Sequence, residues 1–256
     1  MSLEATTLGG RITPSSTKDI KDWYVNLGMN GEGKINAYQK VTFKTGNGAK
    51  AGEYEAGGET HYAYLMSEYI LYTITETGKA DVYLDSSEGT PIAVFVDNKK
   101  TPTSDTIPDS MRVAITTQTL DMDGKTPIGL ENLRVVYAPK AVSGMGNDAQ
   151  AIDGKWTYIG NDGGILKPIA VTDEYNYIYQ DHYTDQNGKN WAATKSGEDY
   201  TVAEGSEAIA TNVGYNGIML RVYIWMEGTD ADCVNNAAAE DEATYSVTLK
   251  LAGIAS

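Results

Sequence analysis

The stretch RVYIWMEGTDADC, residues 221–233, holds the side chains of this sequence that are best placed to do chemistry. Three carboxylates, Glu227, Asp230 and Asp232, lie close together there and are adjacent to Cys233, the single cysteine of the chain. Carboxylates at such spacings around a turn can ligate a hard cation such as Ca²⁺, although the full EF-hand spacing is missing. The same oxygens can instead accept hydrogen bonds from backbone N–H groups and cap a turn. We expect capping, and keep Glu227, Asp230 and Asp232 as the candidate metal ligands.

The element that must position these carboxylates is the segment IMLRVYIWM, residues 218–226, which is the strongest predicted strand of the chain. Even-numbered residues from Leu220 to Met226 point to one face, and odd-numbered residues from Arg221 to Trp225 point to the other. Both faces carry bulky side chains. This pattern predicts a central strand that is covered on both sides.

The chain is expected to turn sharply at Gly228, directly after this strand. Residues 229–243 are predicted to include a short helical turn near the C-terminus, capped by Asp230 or Asp232. Cys233 is expected to pack as a small buried hydrophobe, because no cationic residue lies near it in sequence to activate the thiol.

Two other segments, DMDGK at 121–125 and DQNGKN at 185–190, resemble fragments of calcium loops. Each lacks the closing bidentate glutamate that a complete loop requires. Asp–Gly and Asn–Gly pairs are typical of tight turns. We therefore predict that both segments are hairpin turns.

A candidate ligand face is formed by tyrosines at alternate positions. Tyr175, Tyr177 and Tyr179 share one face of the predicted strand YNYIYQDHYT, and Trp191 follows later in the chain. Aromatic side chains of this kind can stack on sugars. The alternative is that the tyrosines form cross-strand pairs that stiffen a sheet.

The common catalytic motifs are missing from the sequence. It contains no HExxH zinc-hydrolase motif and no G-x-S-x-G nucleophile elbow, and its two histidines, His61 and His182, are far apart. A single cysteine excludes an intramolecular disulfide and a cysteine-rich zinc site. We therefore predict no catalytic residue, no enzyme activity and no cofactor, with Ca²⁺ as the one candidate ion.

The composition favours a β-rich globular protein and disfavours polyanionic partners. Acidic residues number 35 against 20 basic ones, for a net charge of −15, which repels nucleic acid and anionic membranes. The chain has 18 tyrosines but 2 phenylalanines, and tyrosine suits half-exposed pleated surfaces. The negative charge therefore argues against nucleic-acid binding. No apolar run reaches the length of a membrane span, so membrane insertion is not expected.

Turn residues and strand-like periods predict one domain that spans residues 1–256. Residues 1–14 are predicted to form an extended arm and residues 15–28 a short N-terminal helix, because Ile20, Trp23, Tyr24 and Leu27 fall on one helical face. Residues 29–256 are predicted to form strands, with a loop or an insertion near 140–170. Many short strands without a βαβ rhythm indicate an antiparallel, jelly-roll-like β-sandwich.

The C-terminal motif resembles that of the TasA/camelysin family, secreted surface proteins of Gram-positive bacteria that carry a SipW-type signal peptide. The family pattern is a strand that ends in W-x-E-G-x-D-x-x-C, which Trp225, Glu227, Gly228, Asp230 and Cys233 match. The segments YLMSEYILYTITETGKADVYLDSS, DSMRVAIT and LRVVYAP match further family strands in order. The resemblance covers roughly residues 60–140 and 215–254.

The resemblance implies a β-sandwich that is exported to the cell surface, with its signal peptide absent from this sequence. It further implies a structural subunit of an extracellular biofilm matrix or fibre, which associates with its own kind by β-strand addition. The arm at residues 1–14 is the candidate donor strand, although Gly9, Gly10 and Pro14 weaken it. An extracellular carbohydrate- or host-binding module is the alternative function.

Overall fold

A computed structural model describes residues 11–17, 19–26, 38–97, 110–138, 158–159, 165–166, 176–179, 181–228 and 244–256. This part of the chain is mainly β, with several antiparallel sheets packed in layers, which confirms the predicted fold class. Within it no helix is long and apolar enough to cross a membrane. The strands are β1 (Arg11–Ile12), β2 (Ser15–Thr17), β3 (Trp23–Asn26), β4 (Tyr38–Lys40), β5 (Glu53–Ala56), β6 (Glu59–Tyr62), β7 (Leu65–Leu71), β8 (Ala80–Asp85), β9 (Ile92–Asp97), β10 (Met111–Leu120), β11 (Pro127–Tyr137), β12 (Tyr158–Ile159), β13 (Ile165–Leu166), β14 (Tyr177–Tyr179), β15 (Thr184–Asp185), β16 (Ala192–Ser196), β17 (Asp199–Val202), β18 (Ala210–Val213), β19 (Ile218–Met226), β20 (Thr244–Leu249) and β21 (Leu251–Ala255).

The central sheet has six strands in the order β15-β14-β11-β10-β19-β7. Neighbouring strands in this sheet run antiparallel to each other, except β11 and β14, which run parallel. The longest ladder joins β10 to β19 from the Met111–Met226 pair to the Thr119–Ile218 pair. β19 lies between β10 and β7, so it is an interior strand of this sheet, next to the edge strand β7.

One face of the central sheet packs against a second layer made of β8, β9, β16, β20 and β21. The shared core includes Val113 and Val222 from the central sheet and Leu84, Ile92 and Leu249 from the second layer. In that layer β20 pairs with β9, and β21 pairs with β8. The chain continues from β20 to β21 through Lys250, whose backbone N–H donates to Pro91 and whose carbonyl accepts from Asp85.

The other face of the central sheet is covered by the N-terminal part of the chain. Trp23, Val25 and Tyr54 pack there against Tyr223 and Trp225 of β19. The indole rings of Trp23 and Trp225 meet edge to face, with centroids 5.4 Å apart. Both faces of β19 are therefore buried, as the alternation of its side chains predicts.

The predicted helix at residues 15–28 is wrong where the structure describes it. Strands β2 and β3 form a hairpin there, in which Thr17 pairs with Trp23. Asp19 accepts the backbone N–H groups of Lys21 and Asp22, and Thr17 accepts that of Ile20, so local side-chain bonds hold a turn in place of a helical one. Burial of Trp23 and Val25 against the central sheet then decides in favour of strands.

The end of the predicted arm is extended and pairs within its own chain. β1 runs parallel to β6, and Ser15 forms a bridge with Glu227 at the end of β19. The helical turn predicted within 229–243 and residues 1–10 lie outside the described residues. In the region near 140–170, the described residues form β12 and β13, which pair with each other.

Candidate functional site

The corner after β19 is built around a buried carboxylate. Glu227 is 4% exposed, and its Oε2 accepts the indole N–H of Trp225 at 3.0 Å. The backbone N–H of Glu227 donates to Ser110 at 2.8 Å, and that of Gly228 donates to Ser15 at 2.8 Å. The corner thus joins the end of β19 to the start of β10 and to β2. This arrangement agrees with a structural function for Glu227.

The structure places one of the three candidate metal ligands, Glu227. Asp230 and Asp232 lie outside the described residues, as does Cys233. In the part of the chain that is described, no group of three or more His, Cys, Asp or Glu side chains is arranged to hold a metal ion. A Ca²⁺ site that uses Asp230 or Asp232 stays a prediction.

The two segments that resemble calcium loops are turns, as predicted. In the β10–β11 connection, Asp123 accepts backbone N–H groups of Lys125 and Thr126 at 2.7 and 2.9 Å. Asp185 is buried and accepts the backbone N–H groups of Asn187 and Lys189 as well as the indole N–H of Trp191 at 2.9 Å. These carboxylates are occupied by donors from their own turns.

The candidate ligand face at the tyrosines is not exposed where it is described. Tyr177 is 6% exposed and belongs to the core between the central sheet and the N-terminal part of the chain. Trp191 is 2% exposed and belongs to the core between the central sheet and the second layer. Arg134 lies over the Trp191 ring, 5.5 Å from its centroid. Tyr175 and the side chain of Tyr179 lie outside the described residues. The structure therefore gives Tyr177 and Trp191 a packing function in place of a binding surface.

A polar network that the sequence analysis missed crosses four strands of the central sheet. Its members are Glu68 on β7, Thr116 and Gln118 on β10, Glu131 on β11, and Arg221 and Tyr223 on β19. Arg221 is at its centre and donates to Glu68 at 2.7 Å, to Gln118 at 2.6 Å and to Glu131 at 3.0 Å.

Glu131 is the main acceptor of this network. The hydroxyl groups of Tyr223 and Thr116 both donate to its Oε1, and Arg221 donates to its Oε2. Burial, together with the adjacent Glu131 carboxylate, raises the pKa of Tyr223 far above its ordinary value, so the phenol stays a donor. Because donors occupy both Glu131 oxygens, the network is better suited to hold strands in register than to transfer protons. The alternation of β19 places Arg221 and Tyr223 on one face, but their partners depend on strand register.

His182 connects the central sheet to the second layer. Its Nδ1 lies 2.7 Å from the carbonyl oxygen of Ile92, which can only accept, so Nδ1 carries the proton. Nε2 then accepts the hydroxyl of Tyr137 at 3.1 Å. Burial lowers the pKa of His182, opposed by its bond to Ile92 and by the nearby Asp181 carboxylate. The neutral ring is therefore the form that the fold prefers.

Acidification is expected to weaken the fold through His182. Because its pKa is lower in the folded than in the unfolded chain, its contribution is present above the unfolded pKa of about 6.5 and is lost as pH falls through the folded pKa. Urea unfolding between about pH 7.5 and pH 5 should show a steeper loss of stability in the wild type than in His182→Gln. Parallel pH profiles for the two proteins would contradict this assignment.

An open side of the molecule lies between β7 and β21. A cavity of about 300 Å³ there is lined mainly by apolar side chains. Its walls are residues 69–73 of β7 and its continuation, residues 251–253 of β21, and Ala80, Val82, Val213, Leu220 and Leu249. At its margin Ile70 is 39% and Tyr72 is 61% exposed. An apolar cavity beside a strand edge is suited to receive an extended segment of polypeptide.

Comparison with known proteins leaves the family open. No family model, no curated protein and no solved structure matches this chain. The resemblance to the TasA/camelysin family therefore rests on the sequence motifs alone.

Proposed function

We propose that this protein is a secreted structural protein of the bacterial cell surface or biofilm matrix, without catalytic activity, whose subunits associate through β-strand addition. The motif W-x-E-G-x-D-x-x-C supports the extracellular setting through its resemblance to TasA/camelysin proteins. The observation that carries the association is the open edge of the central sheet at β7, with the apolar cavity beside it.

The edge at β7 supports the proposal because a strand edge holds unpaired backbone groups. β7 pairs with β19 on one side, and no described strand pairs with its other side. Alternate residues of β7 therefore direct their N–H and C=O groups outward, where another strand can bond to them. One charged residue, Glu68, lies in this strand, so little charge opposes the approach of a second chain.

The N-terminal arm contributes to this proposal only through its first residues. β1 already occupies a place beside β6, and Thr13 donates its backbone N–H to Tyr62 at 3.0 Å. A donor strand drawn from residues 1–14 would therefore use residues 1–10, since residues 11–13 are paired within their own chain. Deletion of residues 1–10 tests the arm without removing Ser15 from the corner at Glu227.

Self-association is the first property to measure, by size-exclusion chromatography with light scattering over a range of protein concentrations, followed by electron microscopy. We expect a mass above that of the monomer that increases with concentration. The Ile70→Lys variant should shift the mass toward the monomer, because a lysine at a sheet edge disfavours strand pairing.

The matched control is Leu130→Lys, at a side chain that is 79% exposed on β11, an interior strand of the central sheet. This variant should associate like the wild type. A wild-type protein that stays monomeric at every concentration would overturn the proposal and favour the alternative of a carbohydrate- or host-binding module. Equal effects of the two lysines would show that the edge at β7 is not the contact.

A further inference from the structure

The edges of two different sheets border the same cavity. Residues 69–73 and residues 251–253 are consecutive runs in β7 with its continuation and in β21. Consecutive strand residues point to opposite faces, so a cavity that both runs line must reach the strand edges. Among the described strands, β7 is the last of the central sheet, and β21 has β8 as its one paired neighbour in the second layer. Both edges therefore open on the same side of the molecule.

The charges of these two edges are opposite. Glu68 is the one charged residue of β7, and Lys250 is the one charged residue between Thr244 and Ala255. Glu68 is 46% exposed and lies on the face that carries Arg221. Lys250 lies between Leu249 and Leu251, which both pack against the core, so its side chain points outward and donates to the Glu88 carbonyl at 2.7 Å.

We propose that two copies of this chain pair reciprocally, with β7 of each copy beside the β20–β21 edge of the other, around a two-fold axis. Each copy presents both edges on one side, so a single two-fold contact joins each central sheet to the partner's second layer. Glu68 of one copy then lies on the same outer surface as Lys250 of the other. The pairing covers Ile70 and Tyr72 and closes both cavities.

Charge selects this pairing over its symmetric alternative. If β7 paired with β7, two Glu68 carboxylates, each bonded to its own Arg221 at 2.7 Å, would approach each other between chains that each carry a net charge of −15. If β21 paired with β21, two Lys250 side chains would approach. Like charges on neighbouring strands destabilise a pair, whereas the mixed arrangement brings opposite charges together twice.

A charge exchange tests this inference, which rests on the proposed self-association. Glu68→Lys and Lys250→Glu should each weaken the dimer, raising its dissociation constant about tenfold, since each change turns two attractions into repulsions. The double variant Glu68→Lys/Lys250→Glu should recover most of the affinity. The double variant shares the loss of the bond to Arg221 with Glu68→Lys and the loss of the bond to the Glu88 carbonyl with Lys250→Glu, so the cycle over all four proteins isolates the contact between copies. Sedimentation equilibrium gives the constants, and circular dichroism verifies that each variant is folded.

The outcomes separate this inference from the proposed function. The reciprocal pairing would be overturned, with self-association left in place, if neither charge change altered the dissociation constant of the dimer. It would also be overturned if the double variant dimerised no more tightly than the single variants. A wild-type chain that remains monomeric would overturn both. Recovery in the double variant, reduced at high salt, is the result that the pairing requires.

Discussion

Replacing Trp225 with alanine is expected to lower the free energy of unfolding by about 5 kcal/mol, a loss that a single domain can rarely sustain. The indole is 4% exposed and contacts the ring of Trp23 edge to face. Its removal opens a cavity between the central sheet and the N-terminal layer. It also takes a donor from the buried carboxylate of Glu227, which adds the cost of desolvating a charge without that partner.

The Trp225→Phe variant separates these two contributions. Phenylalanine keeps an aromatic ring but has no N–H for Glu227, so a smaller loss of about 2 kcal/mol is expected. Urea unfolding followed by circular dichroism measures both changes, with Leu130→Ala as the control at an exposed position. A loss below about 1 kcal/mol for Trp225→Ala would contradict the view that the corner is structural.

Replacing Gly52 with alanine is expected to cost about 3 kcal/mol. Gly52 has a φ of +76°, and a Cβ there would collide with the carbonyl oxygen of Tyr64. Backbone atoms of this kind cannot move aside as a flexible side chain can. The close approach is part of the fold, since the neighbouring Ala63 donates its N–H to the Gly52 carbonyl at 2.9 Å.

Gly57 is the matched control for this substitution. It lies in the β5–β6 turn with a φ of +60°, and a Cβ there would meet no heavy atom within 4 Å. Gly57→Ala should therefore cost about 1 kcal/mol, the penalty of the left-handed conformation alone. Thermal and urea unfolding of both variants measure the difference. Equal losses at Gly52 and Gly57 would show that the contact with Tyr64 relaxes at little cost.

The two interpretations of the N-terminal segment show where sequence patterns become ambiguous. Ile20, Trp23, Tyr24 and Leu27 have helical spacing, but Trp23 and Val25 also have the two-residue spacing of a strand. Both patterns bury Trp23. The choice depends on contact with the central sheet, where Trp225 lies about two hundred residues away along the chain. The spacing of residues within one segment holds no information about a contact at that distance.

The tyrosine segment shows that local spacing also cannot predict whether a side chain is exposed for binding. Alternation correctly placed Tyr177 in a strand, but exposure depends on what covers the strand. Trp191 is buried because Asp185 accepts its N–H within the turn and because the main core packs around its ring. A sequence that reads as a row of binding aromatics can therefore be a row of packing ones.

The sequence by itself determined the mainly β class, the burial of both faces of β19 and the turns at Asp123 and Asp185. Each of these follows from local chemistry: strand alternation, and carboxylates that bond to nearby backbone N–H groups. Only the tertiary structure decided that residues 15–26 form a hairpin, that Arg221 joins Glu68 to Glu131, and that β7 and β21 open on one side. Those features depend on strand order and register, which are set by contacts between residues far apart in sequence.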